Sequence, residues 1–386
     1  MTTKYQVSIA RCATYDPDAV RQAVAAALEP LGGMGKFVGK GDRVLVKPNL
    51  LASRSPDQAV TTHPAVAQTV VELVQQAGGV PVLGDSPGGR NVGSSYERLL
   101  ARTGMAGVAS ATGCEIVSFD EASVEVQAPD AKSFKRFTVA KAVTDADRVI
   151  VLPKLKTHQL TYYTGAVKIL YGYIPGLTKA EYHLHTDAET FSDLLLDLHS
   201  ALPPTLAVMD AVVGMEGQGP SNGSPRQVGL VLASGSCTAL DLVACSIIGF
   251  DPRSVPTVRK AADRGIGPVD LGEVFVSGEP VGAVRIADFA RPRTMILSKL
   301  PPSLVHAVGY LVGTRPSIRR GRCISCGKCA EACPPKAIRY TKGEIPSIRY
   351  RLCIRCYCCQ ELCPQDAVEV AYPWIRRVVA GRKQGG

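Results

Sequence analysis

Near its C-terminus the chain writes one cysteine pattern twice: Cys323-x2-Cys326-x2-Cys329-x3-Cys333-Pro334, then Cys353-x2-Cys356-x2-Cys359-x3-Cys363-Pro364. Eight thiolates at this spacing constrain the fold more than any other feature. Three thiolates two residues apart wrap one iron-sulfur cubane, and the fourth, followed by Pro, points away to the other. On that logic Cys323, Cys326, Cys329 and Cys363 hold one 4Fe-4S cluster, and Cys353, Cys356, Cys359 and Cys333 hold the second. Zinc also takes four cysteines, but it needs neither the doubled spacing nor the Pro after each run. Cys358, beside a ligand, reads as a packed cysteine. The remaining four, Cys12, Cys114, Cys237 and Cys245, show no disulfide framework, as expected of a chain kept in a reducing cytosol.

The stretch 318–372 resembles the two-cluster bacterial ferredoxins and is expected to form a small α+β ferredoxin-like module. Charge sets this end apart. From Arg315 onward there are 15 Lys and Arg against 5 Asp and Glu, which accounts for the whole formal excess of +10. Two oxidised clusters with their thiolates add about −4, which the basic surroundings partly offset. The remainder suits docking of an acidic electron-donor protein, such as an acidic ferredoxin or flavodoxin, or peripheral contact with an anionic membrane.

The preceding residues alternate strand-like and helix-like segments. Strands are expected at 5–10, 43–46, 80–83, 115–119, 148–152, 206–209, 228–232 and 274–276. Helices are expected from Asp16 or Asp18 to about 31, from Thr62 or His63 onward, and at 94–100, 187–202, 239–248 and 256–264. Residues 123–138 read as an antiparallel excursion, and a helix-like stretch carries Gly165, Lys168, Gly172 and Gly176. The rhythm is that of an α/β domain, 1–286, with a mainly parallel sheet and flanking helices. A Pro- and Arg-punctuated linker, 287–317, follows, with a short amphipathic helix at 304–312. A basic tail, 373–386, closes the chain. No segment is long and apolar enough for a membrane span, and residues 1–12 lack an apolar signal core, so a cytoplasmic location is expected.

Polar residues fall at the carboxyl ends of the expected strands, where open α/β sheets bind ligands. Lys47, Lys156 and His158 are the candidate catalytic residues, His158 as proton donor. Asn49, Asp85, Ser86, Lys154, Lys168, Asp210 and Glu216 are candidate substrate-binding residues. Converging lysines and Gly-rich loops suit a carboxylate or phosphate. His63 reads as a helix cap, and His183 and His185 as surface residues. Neither a dinucleotide fingerprint nor a P-loop is written here. A flavin is compatible, since many flavin sites have no short motif.

The VKPNL segment at 46–50, TTHP at 61–64, GDSPGG at 84–89, LPKLKTH at 152–158 and MDAVVGMEGQGP at 209–220 resemble the domain-of-unknown-function 362 family over roughly residues 5–280. The resemblance implies an α/β architecture and a substrate pocket at those positions, often followed by a ferredoxin-like module. Together these features lead to the expectation of an iron-sulfur oxidoreductase. Two 4Fe-4S clusters would pass single electrons from an external donor to a small anionic organic substrate in the α/β domain. The alternative is a non-catalytic electron-transfer or adaptor subunit whose α/β domain binds a protein partner. No nucleic-acid partner is expected.

Overall fold

The computed structural model describes all residues except 1–3, 88–91, 177, 183–186, 293, 296–314, 366 and 372–386. The expected helix at 304–312, the basic tail, His183, His185 and the end of the GDSPGG loop lie outside the described residues.

Continuous apolar runs make the strands of one ten-stranded sheet, because both of its faces are covered. Its strands are β1 (Tyr5–Arg11), β2 (Arg43–Pro48), β3 (Val80–Asp85) and β4 (Glu115–Ser118). A separate antiparallel hairpin, β5 (Ser123–Gln127) and β6 (Arg136–Ala140), forms the expected excursion. The sheet resumes with β7 (Arg148–Leu152), β8 (Lys154–His158), β9 (Tyr162–Thr164), β10 (Leu206–Glu216), β11 (Ser224–Ser234) and β12 (Val274–Gly278). The order is β12-β1-β11-β10-β7-β2-β3-β4, with β8 on β10 and β9 on β8. Pairing is parallel from β10 to β4, and antiparallel where β11 meets β1 and β10.

Alternation along each strand feeds two cores. Val44, Val46 and Ile150 pack under helices Pro17–Leu28, Pro64–Gln76, Ser94–Thr103 and Met105–Thr112. Leu45, Val151 and Met209 pack under helices Ala188–Ala201, Cys237–Ile247 and Pro256–Asp263. The helix starts are capped as the sequence implies. Asp16 accepts from the amides of Asp18 and Ala19, His63 from Ala65, and Asp187 from Thr190.

One local expectation changes, and two stretches gain detail. Residues 154–158, expected only as polar residues at the end of β7, form strand β8, which pairs with β9 and with the far half of β10. Asp210 does not end its strand, since β10 runs eleven residues to Glu216 and puts Asp210 in mid-strand. The helix-like stretch around Lys168 is a 3-10 helix, Lys168–Tyr173. There the buried Asp241 carboxylate takes the Ala166 and Val167 amides, at 2.6 and 2.9 Å, and so fixes the turn from outside.

The C-terminal module repeats itself. Strand β13 (Arg315–Ile318) pairs antiparallel with β16 (Val368–Ala371), and β14 (Ile338–Arg339) with β15 (Ser347–Ile348). Each cysteine run enters a single-turn helix, Lys328–Glu331 or Cys358–Glu361, from a left-handed residue, Gly327 or Tyr357.

Candidate functional site

Strands β2, β3 and β4 follow one another outward, whereas β7 returns to the other side of β2, so the strand order reverses between β2 and β7. Such a reversal opens a crevice beyond the strand ends. Thr62 stitches the crevice. Its Oγ1 donates to the Leu152 carbonyl at 2.6 Å and accepts from the Asn49 amide at 2.8 Å.

Around it the expected residues meet in small groups. Lys47 Nζ lies 2.8 Å from Asp85 Oδ1, both side chains almost wholly buried. The other Asp85 oxygen accepts from the Leu50 amide at 2.8 Å, and Ser86 N donates to Oδ1 at 2.8 Å. Lys154 Nζ lies 2.9 Å from Asp210 Oδ2, each side chain 0% exposed. Lys156 donates to the Val60 carbonyl at 2.7 Å and to Asn49 Oδ1 at 3.3 Å. The His158 Nδ1 accepts from the Leu160 and Thr161 amides, at 3.0 and 3.4 Å, which leaves the proton on Nε2. Lys168 is half-buried, its ammonium 4.8 Å from the Tyr171 ring centroid and 5.5 Å from that of Phe191. Glu216 sits apart at the end of β10, where it accepts from the Ala290 amide at 2.9 Å.

Burial lowers the pKa of Lys47 and of Lys154, and the carboxylates beside them pull it back up. Gly172 is required for the first pair. A Cβ there would stand 2.4 Å from Lys47 Nζ and 2.6 Å from Asp85 Oδ1. These lysines are therefore neutralised by the chain's own carboxylates.

Four further residues belong to this network. The Tyr15 hydroxyl donates to Asp210 Oδ1 at 2.8 Å and accepts from Lys154 Nζ at 2.6 Å, and its ring stacks on His63 at 3.6 Å. Burial lowers the His63 pKa to about 4, Asp210 opposing and Lys154 assisting, so this imidazole is neutral at pH 7. Asp120 accepts from Ser86 Oγ at 2.9 Å and from the Gly176 amide at 2.7 Å. Lys179 donates to the Ser86 and Pro87 carbonyls. Burial brings its pKa down to about 7, with Asp85 and Asp120 raising it and Lys47 and Lys168 lowering it further. Tyr15, fifteen residues into the chain, carries no motif. Lys179, in Thr178-Lys179-Ala180-Glu181, likewise carries no motif.

In the C-terminal module the eight cysteines lie around two pockets. Cys323, Cys326, Cys329 and Cys363 line one pocket. Cys333, Cys353, Cys356 and Cys359 line another. Cys358 is buried and lines neither. Thiolates on one zinc ion would converge on a common point about 2.3 Å from each sulfur. Among the described residues no three His, Cys, Asp or Glu side chains converge on a single ion in that way. Cysteines spread around a void fit a cage instead. Burial pushes the Cys329 thiol up to about 11, and the nearby Cys363, Cys326 and Cys323 add to the rise. Iron supplies what this ring lacks, since a bound metal holds its thiols ionised. The Ala337 and Ala367 amides donate to Cys333 Sγ and Cys363 Sγ at 3.2 Å each, equivalent contacts of the kind that tune a cluster.

The two regions touch through the loop after β2. Arg54, 5% exposed, donates from Nη2 to the Cys363 carbonyl at 3.1 Å. Asp57 and Gln58 of the same loop and Ser221, Asn222, Gly223 and Pro225 line one open cleft together with Arg319, Arg322 and Glu369.

Residues 44–246 match the family model described as domain of unknown function (DUF362), and residues 322–367 that of a 4Fe-4S dicluster domain. The thylakoid-associated protein sll1697 of Synechocystis sp. (strain ATCC 27184 / PCC 6803 / Kazusa) is 38% identical over 276 residues, 71% of this chain and 84% of that one. This chain belongs to the DUF362 family. Every expected strand-end residue, Lys47 to Glu216, falls inside the DUF362 match, and all eight paired cysteines fall inside the dicluster match. Tyr15 lies before the DUF362 match yet completes its buried network. The C-terminal module is thus an iron-sulfur electron-transfer module. Among solved structures, the lactate racemase apoprotein from Thermoanaerobacterium thermosaccharolyticum is similar at 13% identity with a TM-score of 0.40. That likeness covers 64% of this chain, which spans 57% of the length of that one. Among the described residues no helix is long and apolar enough to cross a membrane.

Proposed function

We propose that this DUF362 chain is an iron-sulfur oxidoreductase in which two 4Fe-4S clusters relay single electrons from an external acidic donor to a small organic anion held by the α/β region. Arg54 carries the reading. A buried guanidinium from the loop that leaves the candidate crevice grips the backbone of Cys363, a cysteine of the first ring. A loop that merely covered a staple would not need to bury a cation against the ring. The sequence around the second ring is basic and exposed. Exposed Lys336, Arg339, Arg349, Arg351 and Arg355 surround its cysteines in sequence, with Tyr350 and Leu352 exposed at 44% and 46%. Apolar contacts inside a basic rim suit docking of an acidic redox protein. In the crevice, His158 Nε2 and Lys179 hold protons for the reduced product, and Lys179, with a pKa of about 7, can release one near neutral pH.

The same basic surface supports peripheral contact with an anionic membrane, in keeping with the relative's name, from a cytoplasmic location. A second reading, a non-catalytic electron-transfer or adaptor subunit, is favoured by one observation: Lys47 and Lys154 are already neutralised by Asp85 and Asp210.

The test is stopped-flow reduction of the anaerobically purified protein by flavodoxin hydroquinone. The second-order rate should fall at least tenfold between about 50 and 500 mM salt, as a steered encounter requires. A salt-independent rate, or bound clusters that accept no electrons, would overturn the reading. Reduced clusters that no organic anion reoxidises would favour the adaptor.

A further inference from the structure

The C-terminal module has little of its own to fold around. Its strands run two to four residues and its helices a single turn. Among the described residues its buried apolar core has eight members. Four are the ring cysteines Cys329, Cys333, Cys359 and Cys363, and the others are Ala337, Ile338, Ala367 and Val368. A core that small does not hold a domain together without a staple, and here the clusters are the staple. The position of the Cys363 carbonyl is therefore linked to the cluster its ring carries.

That carbonyl is the one Arg54 grips, from the loop between β2 and helix Pro64–Gln76. The loop begins and ends in the crevice. The Thr62 amide donates to the Asn49 carbonyl at 3.0 Å, and Lys156 Nζ donates to the Val60 carbonyl and to Asn49 Oδ1. The Leu50 amide holds one oxygen of Asp85, the partner of Lys47. Between these ends the backbone is strained. Ala59, 1% exposed, sits at a φ of 53°, a left-handed conformation that a residue with a Cβ keeps only where its surroundings enforce it. Ala59 and Val60 pack on Met215, while Asp57 and Gln58 line the open cleft. A loop held in this way has somewhere to relax to once an outer contact is lost.

We infer that Arg54 is a positioning residue: it ties the crevice loop to the first ring, so that the loop partners of Lys156 and Asp85 are held in place when that ring carries its cluster and released when it does not. This rests on the proposed function and adds its regulation. A chain without the cluster that delivers electrons also lacks an ordered crevice, and an anion is not held where it cannot be reduced. The coupling needs no movement of the sheet, because β2 and β8 keep their own strand partners.

The experiment is hydrogen-exchange mass spectrometry on the anaerobically purified full chain, on Arg54→Gln with both clusters in place and on Cys329→Ser, with acetic anhydride labelling of Lys156 in parallel. In both variants residues 50–60 should exchange at least about tenfold faster than in wild type, and the buried Lys156 should be acetylated faster. Helices Pro17–Leu28 and Ala188–Ala201 should keep wild-type protection, and Arg54→Gln should keep both EPR signals. Equal protection of residues 50–60 in all three proteins would overturn the coupling, as would loss of protection throughout the α/β region. A loop loosened by Cys329→Ser but not by Arg54→Gln would overturn the role of Arg54. Reduction of the same wild-type sample by flavodoxin hydroquinone keeps two failures apart: clusters that accept electrons beside an unchanged loop overturn the coupling alone, whereas clusters that accept none overturn the proposed function first.

Discussion

In the α/β region the buried cations rest on carboxylates of the same chain, Lys47 on Asp85 and Lys154 on Asp210. In the C-terminal module the thiols, half of them buried, face one another around two pockets. The first arrangement is complete as the polypeptide folds, and its polar groups work as structure. The second needs iron and sulfide before its thiols can be ionised, so its stability is linked to its cofactor. A cluster of lysines at strand ends is therefore not by itself an anion site. What decides is whether the fold has already supplied the counter-charge.

The largest effect should come from breaking one ring. Cys329→Ser should take away about four of about eight irons per chain and one of two EPR signals, whereas Cys359→Ser should remove the other signal. Loss of both signals from either variant would mean that the rings are not separate sites.

Next in size is the removal of one internal counter-charge. Asp210→Ala leaves Lys154 buried without its carboxylate and should cost about 3–5 kcal/mol of stability in urea unfolding. Adding Lys154→Met should recover part of that loss. A cost below about 1 kcal/mol would show that the pair is not desolvated.

The smallest effect is a pH slope. The folded-state pKa of Lys179, about 7, lies below the ordinary lysine value, so the unfolded chain holds this proton more tightly. Stability should therefore rise with pH from about 7 to about 10.5, where folding releases that proton. The stability difference between wild type and Lys179→Met should grow over this window in favour of wild type. A flat difference would place the ammonium in water.

The two regions were also unequally legible in sequence. The cysteine sets could be read from spacing alone, because cage geometry dictates it, and the second half repeats the first down to the amides on Cys333 and Cys363. The α/β rhythm followed from apolar runs and caps at Asp16, His63 and Asp187. Strand β8 was hidden because Lys154, Lys156 and His158 look solvated, and only their buried partners, distant in sequence, make them strand residues. Tyr15 and Asp241 had no local signal for the same reason. Each acts through contacts made some 75 to 195 positions away. Arg54 belongs with them, since nothing near it in sequence announces the Cys363 carbonyl.

Arg54 gives the most direct test of electron passage from the first ring toward the α/β region. Potentiometric EPR titration of wild type and Arg54→Gln, with Cys329→Ser and Cys359→Ser to assign the signals, reads the two clusters separately. Removing a buried positive charge beside Cys363 should move the potential of the first cluster to a more negative value and leave the second unchanged. Equal shifts of both clusters, or no shift in either, would contradict a route that runs through that contact.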